Sequence, residues 1–435
     1  MNDAFGSTTP PLAPAWFYVK NVDDGKVLVH AANSTNATNY QLFRSTDAQN
    51  FSLFLQAQSP AFLIDSLSAD TIQYFKLRAE NTYGESDFTE VLGVLPYNGE
   101  SDVLVVNGFE RVSGTENTFD FIKEHGPAIK AAGYVFDSAS NDAITSGTLD
   151  LSDYGFIDWI SGEEATATTS FSGDEMDAIT TYLENGGRLI ISGSEIGWDL
   201  QASGAPQEIE FYHNYFKANY IADDAGSYIL QAMASGLFNG LANFNFDDGT
   251  HGTYNVDYPD GIKPYGGSVS CLHYGGTDYN AVGGAGIQYR GPFGTSSIDG
   301  GLVYLAVGFE TIYPAAMRDS VMSRMLNYLA PGVDITQEDF QDLPATFSLG
   351  AAYPNPFNGS VAIPFELTQP GEIQFTVFDI LGAQVYRVQA HYGAGKYRWA
   401  WNGRSNTGQS LSSGTYWVMA RNGSTVLRQK VTYLK

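Results

Sequence analysis

The hydrophobic periodicity of this chain of 435 residues changes twice, and no single fold accommodates all three patterns. Residues 11–97 consist of short runs in which apolar and polar residues alternate, separated by turn-forming clusters, which is typical of a β-sandwich. Residues 100–332 alternate buried-strand runs with helical periodicity, and residues 347–435 return to short strands. We therefore predict three domains, which the length of the chain also favours.

The composition narrows the class of protein. Aromatic residues make up 14% of the chain and charged residues only 16%, which excludes a disordered protein. The formal net charge of −26 would repel phosphates, so we predict no nucleic-acid partner. Such an acidic balance suits an extracellular or saline setting or the binding of divalent cations, although solubility alone is the commoner reason.

The sequence also bears on disulfide bonds, membrane spans and a signal peptide. Cys271 has no second cysteine for an intramolecular disulfide and is predicted to be a small buried hydrophobe. No run of about 18 apolar residues is present, so we predict no membrane span. Residues 1–6 lack the basic and then apolar pattern of a signal peptide, so for an exported protein we expect a leader that is absent from this sequence.

The first predicted domain contains two segments with a familiar pattern. Leu67-Ser-Ala-Asp-Thr-Ile-Gln-Tyr74 and the run from Leu77 to Ser86 resemble a fibronectin type III domain. Tyr74 stands where that family has its corner tyrosine, whereas Val29 or His30 replaces the usual tryptophan of the second strand. The resemblance implies a spacer or a binding platform rather than a catalytic domain.

Strands and helices alternate through residues 100–332, apart from a long irregular middle. Ser172 and Glu175 have the spacing of a capping box, which predicts the start of a helix. The alternation favours an α/β fold with a parallel sheet covered by helices on both faces. The predicted elements are the strands 103–106, 134–136, 156–160, 189–191 and 302–307 and the helices 119–132, 173–185 and 315–329.

Six segments of this second domain resemble the flavodoxin-type, class I glutamine amidotransferase-like fold. More specifically, they resemble secreted proteins labelled xanthan lyase or N-acetylmuramoyl-L-alanine amidase. The resemblance implies a domain that acts on or binds an extracellular polysaccharide or peptidoglycan. The segments that carry it are Val106–Glu110, Phe136–Asn141, Asp158–Glu164, Ile191–Asp199, Tyr254–Asp260 and Gly308–Ile312.

Three acids follow predicted strands of this domain and are its candidate catalytic residues, because ligands of open α/β sheets bind beyond the carboxyl ends of strands. They are Glu164, Glu195 and Glu310. Gly193-Ser-Glu-Ile-Gly197 has the glycine spacing of a nucleophile elbow, with Glu195 at the nucleophile position. The amidotransferase family has cysteine there and His-Pro-Glu after the last strand. This chain has Gly308-Phe-Glu310 instead, which excludes glutaminase chemistry.

The roles of these acids stay open between two alternatives. Converging carboxylates divide into a general acid and a general base, or bind calcium. Alternatively, each acid accepts hydrogen bonds from the backbone at a helix start. Asp247, Asp248 and Asp257 form a second acidic cluster and are the candidate metal ligands, with calcium as the candidate ion, although a solvated loop is favoured. His125 lies in the predicted helix 119–132, just before Gly126-Pro127, which is expected to break that helix in two, and we expect His125 to be exposed.

The last domain carries the most specific pattern. It opens with Tyr353-Pro-Asn-Pro-Phe357 and closes on Lys435, and it closely resembles the C-terminal sorting domain of type IX secretion cargo from Bacteroidetes. That resemblance implies an immunoglobulin-like β-sandwich in residues 347–435 and a sorting motif made of Tyr353, Pro354, Asn355, Pro356, Phe357 and Lys435. This domain has eight basic and three acidic residues, a net charge of about +5, in contrast to the acidic remainder of the chain.

Together these patterns predict a secreted or outer-surface protein that engages the type IX secretion machinery through residues 347–435. We expect the central domain to bind or display at the cell surface without glutaminase chemistry. The alternative is an extracellular glycan-processing enzyme that uses the strand-end carboxylates. Extracellular polysaccharide is the candidate partner in both cases, and the sequence leaves open whether the protein is an enzyme.

Overall fold

The computed structural model describes residues 9–165, 169–330, 347–367, 371–380, 383–393, 395–422 and 425–435. By internal contacts the chain divides into two compact units, residues 1–325 and residues 326–435. Within the described ranges, no helix has the length and hydropathy needed to cross a membrane.

Residues 17–94 form two antiparallel sheets around one core. One sheet contains β1, β2 and β5, and the other has the order β4-β3-β6-β7, with β8 also paired to β6. Val27, Val29 and Ala31 of β2 are buried and alternate with more exposed residues, as expected for a strand with one face on a core. The strands are β1 Phe17–Val22, β2 Lys26–Ala31, β3 Asn39–Ser45, β4 Ser52–Ala57, β5 Ala61–Ile64, β6 Gln73–Asn81, β7 Gly84–Glu85 and β8 Leu92–Val94.

The central region contains the helices and a large mixed sheet. Its elements are β9 Val103–Asn107, α1 Ile122–Ala131, β10 Phe136–Ser140, α2 Asn141–Thr145, β11 Phe156–Gly162, α3 Gly173–Glu184, β12 Arg188–Gly193, α4 Pro206–Phe211, β13 Ala218–Ala222, β14 Ile229–Ala232, β15 Phe244–Phe246, β16 Gly261–Pro264, β17 Val269–Tyr274, α5 Tyr279–Val282, β18 Gly284–Pro292, β19 Asp299–Leu305, β20 Ile312–Tyr313 and α6 Ala315–Leu329. Short helical turns lie at Leu151–Asp153, Trp198–Ala202, Tyr212–Phe216 and Phe309–Thr311.

Five neighbouring strands of this sheet are parallel, in the spatial order β10-β9-β11-β12-β19. Beyond β19 the sheet continues through antiparallel strands β18, β17, β14, β15 and β20, so the predicted parallel sheet is present only in its centre. The reason lies in the irregular middle, whose glycines allow tight reversals. Gly267 and Gly276, for example, have φ values of 92° and 81°, which residues with a side chain rarely adopt.

The first sheet of the N-terminal region continues directly into the central sheet, because β1 pairs antiparallel with β10. Asp137 of β10 lies at this junction. Its Oδ1 accepts hydrogen bonds from the backbone N–H of Asn21 at 2.9 Å and from Ser101 Oγ at 2.7 Å, and Tyr154 Oη donates to its Oδ2 at 3.0 Å. Burial raises the pKa of Asp137 to about 6. The first two predicted domains therefore share one sheet and a buried polar junction.

The C-terminal unit is a β-sandwich. One sheet has the order β21-β22-β25 and the other β24-β23-β26-β27, and all pairs are antiparallel. Phe375 and Trp399 come from different sheets, and their rings stack at 4.4 Å between centroids, which places the core between the sheets. The strands are β21 Phe347–Leu349, β22 Val361–Leu367, β23 Gly371–Phe378, β24 Gln384–Tyr392, β25 Gly395–Trp401, β26 Gly414–Asn422 and β27 Thr425–Tyr433.

Candidate functional site

The turn after β12 has the geometry of a nucleophile elbow. Glu195 adopts a φ of 63°, which is uncommon for a residue with a side chain, and its carbonyl accepts the N–H of Asp199 at 2.9 Å as a helical turn begins. A Cβ on Gly193 would lie 2.8 Å from the Cβ of Ser161, and one on Gly197 would lie 2.6 Å from the hydroxyl of Tyr212. The two glycines therefore have the close packing that their spacing predicts.

Asp260 fixes the far side of this turn. Its Oδ2 accepts the backbone N–H of Gly197 at 2.6 Å and that of Trp198 at 3.2 Å. The carboxyl group is fully buried, and burial raises its pKa well above the ordinary value. The strained turn is thus held by Asp260, which ends a segment of the family resemblance but is not one of the three predicted catalytic acids.

Glu195 faces the guanidinium group of Arg111. Its Oε2 lies 3.6 Å from Arg111 Nη1, and both side chains are 14% exposed. Burial raises the pKa of Glu195, Arg111 opposes the rise, and the nearby Asp223 and Asp199 add to it. The elbow position therefore holds a largely buried carboxylate whose nearest described cation is Arg111, where the amidotransferase family has a thiol.

The carboxylate of Glu164 accepts hydrogen bonds from the backbone. Glu164 is 3% exposed, and its Oε2 accepts the N–H of Glu110 at 2.8 Å and that of Arg111 at 2.7 Å. This arrangement matches the alternative in which the acid satisfies backbone donors. Because Glu164 fixes the backbone of Arg111, it also positions the guanidinium group opposite Glu195.

Glu163, which precedes Glu164 in the chain, also contacts Arg111. Arg111 Nη1 donates to the backbone carbonyl of Glu163 at 3.0 Å, and Thr115 Oγ1 donates to its side chain at 2.9 Å. Burial raises the pKa of Glu163 to about 7, and the carboxylate of Glu195 adds to the rise. A carboxyl group with this pKa changes protonation near neutral pH.

Glu310 belongs to a different, fully buried network. Its Oε2 lies 3.3 Å from His125 Nε2, its Oε1 accepts a hydrogen bond from the hydroxyl of Tyr254, and His125 Nδ1 lies 2.7 Å from Asp158 Oδ2. All four side chains have no exposed surface. They come from a helix, a strand, a loop and the turn after β19, so the network ties four separate segments together.

The expectation that His125 is exposed is wrong. Helix α1 continues through Pro127, so the glycine and proline that follow His125 do not end it. A Cβ on Gly126 would lie 2.6 Å from the ring of Phe136, so the glycine lets the helix approach β10 closely. This close approach buries the face of the helix that carries His125.

The protonation of His125 follows from its neighbours. Burial alone would lower its pKa, but the carboxylates of Asp158 and then Glu310 outweigh burial and raise it to about 9. At neutral pH the ring is therefore an imidazolium ion between two acids. Such a relay holds a proton in place, but no part of it reaches solvent.

The three predicted catalytic acids therefore do not form one convergent group. Glu164 and Glu195 are connected through Arg111, whereas Glu310 is hydrogen-bonded to His125 and Tyr254. In each case the carboxylate has an identified partner within the described residues.

The turn that contains Asp247 and Asp248, which the sequence predicts as part of a metal site, is stabilised by hydrogen bonds from its own backbone. Asp247 is 1% exposed, and its carboxylate accepts the N–H groups of Thr250, His251 and Thr253 at 2.8–2.9 Å. Ligand atoms of Asp247, Asp248 and His251 lie within 4.8 Å of one another.

Asp257, the third predicted metal ligand, lies outside that group and accepts a hydrogen bond from Asn255 instead. Calcium takes about six to eight oxygen ligands, more than this turn supplies. The metal site remains a prediction that these contacts do not favour.

A cleft of about 310 Å³ lies at the carboxyl ends of β9, β10 and β11. This is the point where the strand order reverses, the usual ligand position in such sheets. Burial raises the pKa of Glu110 to about 7, with Asp142 and Glu175 contributing. The lining residues are Gly108, Glu110, Asn141, Asp142, Glu164, Thr169, Ser170, Ser172 and Glu175.

The predicted capping box forms one wall of this cleft and is confirmed. Ser172 Oγ accepts the N–H of Glu175, and Glu175 Oε2 accepts the N–H of Ser172 at 2.7 Å. Glu175 Oε1 also accepts a hydrogen bond from Asn141 at 2.9 Å. Sequence reasoning missed Glu110, Asn141 and Asp142 as lining residues, although Asn141 and Asp142 directly follow β10 and Glu110 lies three residues after β9.

In the C-terminal unit, the predicted sorting motif is built into the sandwich. Asn355 Nδ2 donates to the carbonyl of Lys430 at 3.0 Å, and Asn355 Oδ1 accepts the N–H of Thr432 at 2.8 Å. The backbone of Phe357 forms hydrogen bonds to the two residues that flank Tyr433. Its carbonyl accepts the N–H of Leu434 at 2.7 Å, and its N–H donates to the carbonyl of Thr432 at 2.9 Å. The motif therefore pairs with the last strand, β27.

The side chains of the motif differ in burial. Phe357 is 2% exposed and stacks on Tyr433 at 5.0 Å between centroids, whereas Tyr353 is 74% exposed. Pro354 and Pro356 both follow cis peptide bonds, and the N–H of Lys435 donates to Ser413 at 2.8 Å.

Comparison with known families identifies this segment. Residues 351–433 match the family model described as the secretion system C-terminal sorting domain. The match supports a secreted protein exported by type IX secretion to the cell surface or the extracellular space. No curated protein matches the chain.

Several solved structures are similar to parts of the chain. FN3tt is 22% identical, with 21% of this chain and 99% of FN3tt covered and a TM-score of 0.20. An Fn3-like protein from Clostridium thermocellum is 16% identical, with 18% and 88% covered and a TM-score of 0.17. FlgD from Xanthomonas campestris is 23% identical, with 20% and 66% covered and a TM-score of 0.16. At these TM-scores the similarities carry no argument about function.

Proposed function

We propose that this protein is a surface-displayed type IX secretion cargo whose central domain binds an extracellular polysaccharide and lacks glutaminase chemistry. One observation carries the absence of glutaminase chemistry most directly. The elbow position holds Glu195, a carboxylate paired with Arg111, where thiol chemistry would need a cysteine. The one cysteine, Cys271, is buried in β17, and burial raises its thiol pKa further from neutrality.

The fold of the two preceding domains is part of this proposal. The parallel core has the order 2-1-3-4-5 when its strands are numbered along the chain, which is the flavodoxin-like order. That order supports the amidotransferase-like interpretation of residues 100–332. The two sheets of residues 17–94 support a fibronectin type III-like domain in residues 11–97.

Binding is favoured over catalysis because the strand-end acids have structural partners. Glu164 accepts two backbone N–H groups, and Glu310 is sealed against His125 and Tyr254. The cleft is open to solvent, and its carboxylates, amide and hydroxyl groups suit the hydroxyl groups of a saccharide. We infer that a polysaccharide with few negative charges fits best, since the described lining contains no cation.

A second candidate function is glycan processing, and one observation favours it. Glu110 in the cleft and Glu163 beside the elbow both have pKa values raised to about 7. Carboxyl groups of this kind serve as general acids in glycoside hydrolysis. This alternative needs a substrate that reaches both side chains.

The export part is tested by expressing the chain, fused to an N-terminal signal peptide, in a type IX-secreting bacterium with and without residues 347–435. We expect the full chain at the cell surface and the truncated chain inside the cell. Surface delivery of the truncated chain would contradict the export proposal.

The binding part is tested with the purified chain by affinity electrophoresis in gels that contain xanthan, pectin or a neutral polysaccharide such as a glucan. We expect retardation by the neutral polysaccharide and loss of that retardation in Asp142→Ala, with Glu100→Gln as an exposed acidic control. Equal mobility in every gel would contradict polysaccharide binding.

A further inference from the structure

The four-stranded sheet of the C-terminal unit has two faces of different chemistry. Val418 and Ala420 of β26 have no exposed surface and belong to the core of the sandwich. Trp417 and Arg421 alternate with them, so their side chains point away from that core. Trp417 is 44% exposed, which is unusual for the largest apolar side chain.

Strand register brings cations together on this outer face. Met419 of β26 is paired with Arg428 of β27 on one side and with Thr376 of β23 on the other, and Thr376 in turn is paired with Arg387 of β24. Neighbouring strands lie about 4.8 Å apart, so one row carries a basic residue at each end. Arg387 and Arg428 are both exposed.

The next row of the register adds the aromatic residue. Trp417 is paired with Phe378 of β23 and with Lys430 of β27, and Lys430 is exposed. One row away on the other side, Arg421 is paired with Gln374. We call the surface formed by Arg387, Trp417, Arg421, Arg428 and Lys430 the basic face.

Acidic residues are scarce around it. The sequences of β23, β24, β26 and β27 contain one carboxylate, Glu372, which lies near the end of β23. The domain holds eight of the 22 basic residues of the chain and only three of its 48 acidic ones. Half of those eight lie on the basic face, so the positive charge of the domain is concentrated on one surface.

We propose that the basic face is the surface through which the sorting domain docks on an acidic protein surface during export, with Trp417 entering an apolar recess. This inference rests on the proposed export function and names its recognition surface. Tryptophan and arginine are the residues most enriched at the energetic centres of protein interfaces. Opposite charges around such a centre accelerate association and select the partner.

A protein partner fits this surface better than a bare polyanion does. The basic face has an apolar centre of Trp417, Met419 and Phe378 with cations at its rim, which is the anatomy of a protein interface. A nucleic-acid site would be dominated by phosphate contacts, and the net charge of −26 opposes such binding. Anionic lipid is the remaining alternative, and photo-crosslinking from position 417 distinguishes it from an acidic protein.

The test compares two triple variants of the full chain, fused to the same signal peptide, in a type IX-secreting bacterium. The first reverses three charges of the basic face, in Arg421→Glu, Arg428→Glu and Lys430→Glu. The matched control, Lys396→Glu, Arg398→Glu and Arg404→Glu, changes the same residue types by the same charge outside it. We expect the first variant to lower the exported fraction about tenfold or more, and the control to stay within about twofold of the native chain.

Truncation separates failure of this inference from failure of the proposed function. If the chain without residues 347–435 is still exported, the proposed function itself fails. If truncation blocks export while the basic-face variant is exported like the native chain, only the docking surface is overturned. Both triple variants are purified and their thermal unfolding compared, and Trp417→Ala serves as a second variant if charge reversal prevents folding; normal export of Trp417→Ala would then overturn the inference.

The chemistry of the partner is tested by placing benzoylphenylalanine at position 417 in the exporting cell and analysing the photoproducts by mass spectrometry. The proposal predicts cross-links to peptides rich in aspartate and glutamate, and predicts that charge reversal at Arg421, Arg428 and Lys430 removes them. Adducts confined to lipid or to basic peptides, or cross-links unchanged by charge reversal, would overturn it.

Discussion

The sorting motif and the strand-end acids are both short sequence signals, but the structure uses them in different ways. Asn355 and Phe357 of the motif bond to the last strand through side chain and backbone, so the motif completes its own domain. Glu164 and Glu310 belong to a pattern that suggests chemistry, yet their carboxylates hold backbone or buried partners. A specific run of residues is thus a stronger guide than a single residue type at a strand end.

The largest effect is expected in the buried network of the central domain. His125→Gln would leave Asp158 and Glu310 without a cation in a site with no exposed surface. Breaking a buried charge pair in this way costs about 3–5 kcal/mol. Chemical denaturation should show that loss in the first unit. His251→Gln, at an exposed histidine, is the control, and equal stabilities of the two variants would contradict the structural role of the network.

A smaller but still large effect is expected at the sorting motif. Phe357→Ala removes a buried ring that packs on Tyr433 and Trp401, which costs about 3 kcal/mol or more. Tyr353→Ala is the control, because a residue that is 74% exposed should change stability by less than about 0.5 kcal/mol. If the two variants have equal free energies of unfolding, the motif does not stabilise the last strand.

Glu164 should show an intermediate effect. Glu164→Gln keeps the size of the side chain but replaces a charged acceptor of two backbone N–H groups, which weakens bonds that are worth about 1.5–3 kcal/mol. Glu110→Gln, which changes the same functional group in the same cleft, is the comparison. A Glu164 variant as stable as the Glu110 variant would contradict the structural role of the Glu164 carboxylate.

The smallest effect is a pH dependence. His125 has a folded pKa raised to about 9, so its contribution is complete below its unfolded pKa and is lost as the pH rises through 9. Glu124 and Glu163, raised to about 8 and 7, act in the same direction, because ionising them in the folded state costs stability.

Thermal unfolding should therefore occur at a lower temperature at pH 9 than at pH 6, and His125→Gln should reduce the difference. A melting temperature that rises with pH over this range would contradict the assigned charge states.

The sequence was sufficient to predict features that depend on the spacing of nearby residues. Apolar alternation predicted the two β-rich regions, the capping box at Ser172 and Glu175 is present, and the glycines around Glu195 pack as an elbow requires. These features depend on residues that are close together in the chain, where spacing alone fixes which groups meet.

What the sequence did not predict depends on distant residues. His125 was expected to be exposed because Gly126 and Pro127 follow it, but its buried partners, Asp158 and Glu310, lie 33 and 185 positions away. The junction of β1 with β10 joins residues more than 100 positions apart, and the cleft collects residues from three strand ends. No local periodicity reports such contacts.

The most direct test of the central claim is a turnover assay of the purified chain with xanthan, alginate, pectin and peptidoglycan, with and without calcium. Reducing ends and the absorbance of unsaturated uronates are followed over time for the native chain and for Glu195→Gln. We expect no product from either protein, while polysaccharide binding in the gel assay persists. Product formation that Glu195→Gln abolishes would contradict it and establish the central domain as an acid-dependent glycan enzyme.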